Sequence, residues 1–155
     1  MRKFEKISFA QFQKDIRDNL MDYEQYQLPK RATKYSAGYD FESLFEMTIL
    51  PGEVKKIPLG IKVLMEEDEC LFLLVRSSQG FKYNVRLCNQ VGVIDCDYYN
   101  NVENEGHLFV KLQNHGDVPY RIHVGDKIVQ GIFTKYLVTE DEVNEIRTGG
   151  LGSTN

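Results

Sequence analysis

Helical spacing of apolar residues marks the first part of the chain. In a helix, the apolar side chains of Phe9, Phe12, Ile16 and Leu20 would lie on one face. Ser8 and Gln11 have the spacing of a capping box, in which the two side chains accept hydrogen bonds from each other's backbone N–H groups. Because apolar residues at a period of 3.6 indicate an amphipathic helix, the sequence predicts one helix over residues 8–20, added to the main fold.

From about residue 28 onward the apolar residues follow a period of two instead. Strand-like runs occupy residues 54–63, as a pair after the Pro51-Gly52 turn, and residues 70–75, 85–93, 108–112, 120–124 and 128–138. Turn-forming residues separate the later runs at 114–117 and 125–126. Many short strands at close spacing predict an all-β sandwich or barrel. The run at 70–75 is apolar throughout, so we expect it to be buried on both faces of its sheet.

Two polar segments break this alternation. Residues 99–106 carry no apolar pattern and are predicted to form a surface loop. The tail, residues 147–155, is too rich in glycine to be structured alone, and a frayed end is one interpretation of it. Its arginine, its two hydroxyl groups and its glycines are also the components of a loop that cradles an anion.

Composition and charge narrow the function. The chain has 155 residues, enough for one domain with a core, since 42% of them are hydrophobic. A net charge of −4 disfavours a broad nucleic-acid surface, although a phosphate-bearing small molecule remains compatible with local cations. The three cysteines are widely spaced and odd in number, which favours reduced thiols in a cytoplasmic protein. No long apolar run follows the charged N-terminus, so we expect neither a signal peptide nor a membrane span.

One strand-like run ends in groups that could hold a ligand. In Gly92–Tyr98 an apolar strand leads into Asp95, Cys96, Asp97 and Tyr98, which supply two carboxylates, a thiol and an aromatic ring. Two residues along a strand share a face, so spacing alone does not choose between the two carboxylates. A solvated acidic hairpin end is the simpler interpretation of this stretch taken by itself.

Together with four other segments, this stretch resembles the motifs of the trimeric deoxyuridine triphosphatases (dUTPases). The five segments, in order, are residues 36–41 (SAGYDF), 76–80 (RSSQG), 92–98 (GVIDCDY), 125–130 (GDKIVQ) and the tail from Arg147 to Thr154. The resemblance implies a distorted jelly-roll β-barrel that forms homotrimers, with each active site between subunits and closed by the tail of a third. It also implies hydrolysis of dUTP to dUMP and pyrophosphate, with Mg²⁺ bound to the triphosphate.

The resemblance assigns roles around the nucleoside. Asp95 is similar to the general base that activates the attacking water, which leaves Asp97 a structural acid. Tyr98 is similar to the residue whose ring packs on the deoxyribose and excludes a 2′-hydroxyl. Asn89 is similar to the residue that reads uracil, because a side-chain amide offers both a donor and an acceptor. The backbone around Val93 and Ile94 would complete the base pocket.

The resemblance also assigns the phosphate contacts. The residues similar to phosphate ligands are Arg76, Ser77, Ser78 and Gln130, joined after tail closure by Arg147, Ser153 and Thr154 on the γ-phosphate. Asp40 would order this arrangement and the waters around Mg²⁺, so that no protein side chain binds the metal directly. The family usually carries an aromatic residue on the uracil where this tail has Leu151, followed by Gly152, so we expect a weaker lid there.

Residues 1–27 are accordingly predicted to be a helical extension, 28–140 the barrel and 141–155 a flexible tail that closes over the substrate. After Tyr98 the chain departs from the family pattern, which puts the local hairpin in question. One alternative is the related dCTP deaminase, but Lys111 stands where that enzyme's glutamate would be, and an ammonium group cannot act as the same base. A second alternative is a dUTPase-like barrel that binds nucleotide for regulation without catalysis.

Overall fold

The fold is mostly β, as the sequence predicts. The computed structural model describes residues 1–141 and 144–152. The described strands are β1 Lys3–Lys6, β2 Lys30–Arg31, β3 Tyr39–Glu42, β4 Met47–Ile49, β5 Val54–Pro58, β6 Ile61–Leu64, β7 Glu69–Leu74, β8 Val85–Leu87, β9 Gly92–Asp95, β10 Phe109–Asn114, β11 Tyr120–Ile122 and β12 Lys127–Lys135. The helices are α1 Phe9–Asp15, α2 Leu20–Gln25 and α3 Ser77–Tyr83, with a 3₁₀ turn at Cys96–Tyr98. Among the described residues no helix combines the length and the apolar character needed to cross a membrane.

Four small sheets enclose one main core. The largest has the strand order β2-β3-β12-β7-β9, and the others are β5-β10-β8, β11-β4 and β1-β6. Strand β7 lies between β12 and β9. The predicted burial on both faces holds in part, since Leu71 and Leu73 are buried whereas Phe72 and Leu74 are partly buried. The core between the sheets includes Ile57, Leu71, Leu87 and Leu112, each at most 1% exposed. Burying side chains of this size stabilises the fold by roughly 1.5–3 kcal/mol each. The all-β jelly-roll prediction is confirmed.

The single helix predicted over residues 8–20 was wrong, because the segment forms two helices. Ser8 does cap α1, since its Oγ accepts a hydrogen bond from the Gln11 N–H at 3.1 Å. Helix α1 ends where Ile16 leaves the helical conformation. The Asn19 side chain then accepts from the Asp22 N–H and starts α2. An asparagine makes such a cap more readily than it continues a helix. The apolar spacing at 8–20 therefore continues across the end of α1 and the start of α2, and it did not reveal the break between them.

A buried histidine fastens this N-terminal segment to the barrel. The His107 ring is fully buried, its Nδ1 lies 2.6 Å from an Asp15 carboxylate oxygen, and its Nε2 accepts from the Gly60 N–H at 2.9 Å. Both ring nitrogens are satisfied when His107 is neutral with its proton on Nδ1. If Nε2 were also protonated, its N–H would point at the Gly60 N–H, and neither donor would have an acceptor. Burial lowers the pKa of His107 and outweighs the opposing effect of Asp15.

We therefore expect acid to destabilise the fold through His107. Because the folded pKa lies below 6.5, the unfolded chain takes up this proton first as the pH falls below that value. The free energy of unfolding should then decrease by up to about 1.4 kcal/mol per pH unit. Urea unfolding between pH 7.5 and 5 measures this slope. A His107→Gln variant should flatten it, whereas the exposed His115→Gln should not. Equal slopes in all three proteins would contradict the assignment.

Candidate active site

The first of three features is a cavity of about 400 Å³ beside the turn that joins β8 to β9, and we call it the hairpin cavity. This hairpin cavity is lined mainly by β8, β9 and β10, and its lining includes Leu87, Cys88, Asn89, Val93, Ile94, Phe109, Lys56, Lys111 and Leu151. Gln90 has a φ of 64° and turns the chain back between the strands. Asn89, Val93 and Ile94, which the sequence predicts to form one pocket, do lie together here.

The second feature is a cavity of about 190 Å³ that continues from the first. This tail cavity shares Val93, Ile94, Phe109 and Leu151 with the hairpin cavity and adds Asp95, Tyr98, Leu108, Arg147, Gly150 and Gly152. The tail therefore packs on the end of β9 of its own chain, whereas the motifs imply that each site is closed by the tail of a third subunit. Ser153 and Thr154 lie outside the described residues.

Tyr98 is held rigidly at the inner side of the tail cavity. Its side chain is buried, with 6% of the residue exposed. Its phenolic O–H donates to the His107 carbonyl at 2.9 Å, and the same oxygen accepts from Asn104 Nδ2 at 2.9 Å. Burial raises the pKa of the Tyr98 phenol, which keeps it protonated and able to donate. The ring is thus available as a fixed apolar surface.

The two acids beyond β9 share one arginine. Arg147 Nη2 donates to an Asp95 carboxylate oxygen at 2.6 Å, and Arg147 Nε donates to Asp97 at 2.8 Å. The acidic side chains are 52% and 51% exposed, whereas that of Arg147 is 14% exposed. The sequence places Arg147 with the phosphate ligands, but in this structure it neutralises the acids at the strand end. It does not join Arg76.

The third feature is a separate cavity of about 490 Å³ at the start of α3. This helix cavity is lined by Ala32, Ser36, Ala37, Gly38, Asp40, Arg76, Ser77, Ser78, Gln130 and Ile132. All four phosphate ligands predicted in the barrel lie together here. A Cβ on Gly38 would stand 2.2 Å from the Gln130 side-chain oxygen, so glycine leaves the space that this amide occupies. Gln130 Nε2 donates to the Val75 carbonyl at 3.1 Å.

Asp40 fixes the cation of the helix cavity. Its carboxylate is 9% exposed and pairs with Arg76 Nε at 2.9 Å and with Lys127 Nζ at 3.3 Å. Two cations around one buried carboxylate give this cluster a net positive charge, and Arg76 is the one of the two that lines the cavity. Charge-assisted bonds of this kind orient an arginine fork toward an anion. Asp40 therefore holds the Arg76 side chain in place.

Sequence reasoning missed Gln79, which positions the two serines. Gln79 is 1% exposed, its Oε1 accepts from the Arg76 N–H at 2.8 Å, and its Nε2 donates to the Ile128 carbonyl at 2.7 Å. It thereby ties the first turn of α3 to β12, with Ser77 and Ser78 exposed between them. A glutamine three residues after a helix start is a known capping signal, but no helix was predicted over residues 76–80.

Asp95 and Arg76 lie at opposite ends of β7 within one chain. Asp95 pairs with Cys70 at the start of β7, whereas Arg76 follows the end of that strand. Arg76 comes six residues after Cys70, and six steps along an extended chain span about 20 Å. The helix cavity also shares no lining residue with the other two cavities. Within one chain the helix cavity is therefore apart from the hairpin and tail cavities, and we call these two groups of residues the half-sites.

The carboxylates that line these cavities already have ionic partners. Within residues 1–141 and 144–152, no group of three or more His, Cys, Asp or Glu residues could hold a metal ion. The Asp40 carboxylate is already ion-paired with Arg76 and Lys127. The exposed carboxylate of Asp95 remains within reach of a water or of a metal's water shell.

Comparison with known proteins agrees with the motifs. The dUTPase family model matches residues 24–155. A deoxyuridine 5'-triphosphate nucleotidohydrolase of Lactococcus lactis is 47% identical over 130 residues, covering 82% of this chain and 87% of that protein. The one from Mannheimia succiniciproducens is 36% identical over 137 residues, covering 83% and 87%.

Two solved structures share the fold. A dUTPase from Streptococcus mutans is 38% identical, with a TM-score of 0.72, and the match covers 89% of this chain and 98% of that one. A mutant dUTPase from phage phi11 of S. aureus, described as coordinating a structural Mg(II) ion, has a TM-score of 0.68. That phage protein is 21% identical, with 94% of this chain and 97% of that one covered, so its likeness concerns the fold alone.

Proposed function

The chain belongs to the dUTPase family and hydrolyses dUTP, and we propose that Asp95 is the general base of this reaction. The observation that carries this assignment is the position of Asp95 at the end of β9, where it lines the tail cavity directly after Val93 and Ile94, which line both cavities. A nucleoside seated in these cavities would bring its α-phosphorus toward that carboxylate. Asp95 would accept a proton from the attacking water, and pyrophosphate would leave.

Uracil would occupy the hairpin cavity. The Asn89 side chain is exposed at its mouth, and the backbone of Val93 and Ile94 forms an adjacent wall. A donor and an acceptor on one amide suit the N3–H and O4 edge of uracil, whereas cytosine presents the reverse pattern. A wrong base would leave buried polar groups without partners, which sites of this kind reject strongly. Leu151 would cover the base without stacking on it.

The deoxyribose would rest on Tyr98 in the tail cavity. The phenol's two hydrogen bonds hold the ring in one place, so it cannot move aside for a larger sugar. A 2′-hydroxyl on the face of this ring would be buried without a hydrogen-bond partner, at a cost of about 1–3 kcal/mol. This arrangement supports selection of dUTP over UTP.

The triphosphate would contact the helix cavity of a neighbouring chain. Arg76 and the hydroxyls of Ser77 and Ser78 supply charged and neutral donors, and Gln130 supplies an amide. The separation of about 20 Å along β7 favours a site assembled from two chains over a site within one. The homotrimer implied by the motifs would pair the half-sites around a closed ring.

Mg²⁺ would enter this site bound to the phosphates of the substrate. It binds oxygen ligands and usually keeps several waters while attached to phosphates. When bound it would neutralise phosphate charge and orient the oxygens. Asp95 is the exposed carboxylate that could hold a water of its shell, while Asp40 keeps Arg76 in place.

Tail closure would exchange one partner of Arg147 for another. In the present structure Arg147 occupies both Asp95 and Asp97. A bound triphosphate offers this guanidinium a more highly charged partner, which would free Asp95 to accept a proton. We propose that Arg147, with Ser153 and Thr154, then binds the γ-phosphate, and that the closed tail excludes bulk water. We also propose that the protein acts on free nucleotides in the cytoplasm.

A nucleotide comparison tests this function. With Mg²⁺ present, we expect pyrophosphate from dUTP, about 5- to 150-fold less from UTP and none from dCTP. Lys111 lines the hairpin cavity and supplies no carboxylate for deamination. Chromatography of the products distinguishes dUMP, UMP and a deaminated base. Deamination of dCTP, or equal turnover of UTP and dUTP, would contradict the assignment of the two cavities.

A further inference from the structure

Residues 99–106, which sequence analysis left without a role, form a compact loop between Tyr98 and the tail. Asn101 and Gly106 within it are buried, although its sequence predicts a surface loop. Asn100 and Glu105 adopt positive φ angles of 55° and 61°. Such angles strain ordinary residues, and they persist where surrounding contacts fix them. We call residues 99–106 the asparagine loop.

The asparagine loop holds Tyr98 through side-chain amides. Asn104 Nδ2 donates to the Tyr98 phenolic oxygen at 2.9 Å. Asn104 Oδ1 is itself fixed, because it accepts from Asn101 Nδ2 at 2.9 Å and from the Gly106 N–H at 3.0 Å. Asn101 Nδ2 also donates to the Tyr98 carbonyl at 2.8 Å. Ring and loop thus form one hydrogen-bonded unit.

The same loop receives the tail. The Gly150 N–H donates to a Glu103 carboxylate oxygen at 2.5 Å. A Cβ placed on Gly150 would stand 3.2 Å from both Glu103 Oε2 and Asn104 Nδ2. The tail backbone therefore lies against the two side chains that adjoin Tyr98, and a glycine permits that approach.

The barrel and the N-terminal segment brace the loop from outside. Glu105 accepts hydrogen bonds from the backbone and the hydroxyl of Ser8. Lys62 Nζ donates to Asn100 Oδ1 at 2.7 Å. These contacts join the loop to helix α1 and to β6, so its position does not depend on the tail.

We propose that the asparagine loop is a positioning element that serves both selectivity and closure. Asn104 acts through Tyr98, fixing the ring on which the deoxyribose rests. Glu103 acts through Gly150, because its carboxylate accepts the hydrogen bond that holds the tail against the loop. The inference rests on the proposed roles of Tyr98 and the tail. It adds that loss of the loop's contacts weakens sugar selection and tail closure without touching the reacting atoms.

The selectivity arm compares kcat/KM for dUTP and UTP. Asn104→Leu keeps the volume and removes every side-chain hydrogen bond, and we expect it to lower the dUTP/UTP ratio by about tenfold. Asn104→Asp, a second variant in case the first fails to fold, removes the donor to Tyr98 and should lower the ratio in the same direction. Val102→Ala is the matched control, because Val102 is 92% exposed on the same loop.

Tyr98→Leu separates failure of this inference from failure of the proposed function. A ratio lowered by Tyr98→Leu but unchanged by both Asn104 variants would overturn the positioning role of Asn104. A ratio unchanged by Tyr98→Leu would instead remove Tyr98 from sugar selection, and with it the premise for Asn104.

The closure arm uses trypsin, which cleaves after Arg147 in the tail. A non-hydrolysable dUTP analogue with Mg²⁺ should protect this bond in the wild-type protein and in Val102→Ala. Glu103→Ala should lose about 3- to 10-fold of that protection, as expected for one hydrogen bond, while Glu103→Gln, which keeps an acceptor, should lose less. Mass spectrometry of the intact chain measures the cleaved fraction. Equal protection in Glu103→Ala and Val102→Ala would overturn the docking role.

Discussion

Replacing Asp95 by asparagine should lower kcat for dUTP by about 10²–10⁴-fold, with KM little changed. The amide has the shape of the carboxylate and can still contact Arg147, but it cannot accept the proton of the attacking water. Binding of the nucleoside depends on the hairpin cavity and on Tyr98, which the substitution leaves intact. Steady-state kinetics and equilibrium binding of a non-hydrolysable dUTP analogue separate the two effects.

Asp97→Asn is the matched control for this experiment. Asp97 lies two residues away, is equally exposed and bonds to the same guanidinium. Its loss should alter the tail contact and leave the proton acceptor in place, so we expect a much smaller decrease in kcat. Collapse of turnover in Asp97→Asn, with Asp95→Asn still active, would transfer the role of base to Asp97.

Replacing Arg76 by leucine should lower kcat/KM for dUTP by about 10²–10³-fold. Arg76 is the cation that Asp40 and Gln79 hold at the edge of the helix cavity. Without it, the transition state loses a charged donor, and the buried Asp40 retains only Lys127 as an ionic partner within the described residues. A loss of stability should accompany the loss of activity.

Two controls distinguish these contributions. Arg76→Lys keeps the charge but not the fork, and we expect it to recover folding stability more fully than activity. Arg86→Leu removes an exposed arginine from β8 that lines none of the three cavities, so its kinetics should match the wild type. Thermal unfolding shows which variants remain folded. Normal kcat/KM in a folded Arg76→Leu protein would remove this residue from phosphate binding.

Most short runs of alternating or continuous apolar residues became strands as predicted, but the run at 85–93 became two strands, β8 and β9, with a turn between them. The 70–75 run became the central strand β7, and the pair predicted over 54–63 became β5 and β6. Helix α3 was not predicted, because Arg76–Gly80 carries no apolar period, and a buried side-chain contact of Gln79 fixes it instead. Strand β1 was missed for a similar reason, since its order depends on pairing with β6.

The candidate site was predictable residue by residue but not in its assembly. The motifs identified the groups that meet in each cavity, including Asn89 with Val93 and Arg76 with Gln130. Sequence spacing does not show that β9 pairs with β7 or that Asp95 lies opposite Cys70, so the separation of Asp95 from Arg76 required coordinates. The partners of the asparagine loop were equally hidden, because Glu103 meets a glycine 47 residues later.

The central claim is that each active site joins the hairpin and tail cavities of one chain to the helix cavity of another. Coexpression of Asp95→Asn and Arg76→Leu chains, with a different affinity tag on each, yields mixed trimers that carry both tags. In every mixed trimer one site in three should combine an intact Asp95 with an intact Arg76, so dUTP turnover should recover to about one third of wild type. Turnover that stays at the level of the separate variants would contradict the shared site.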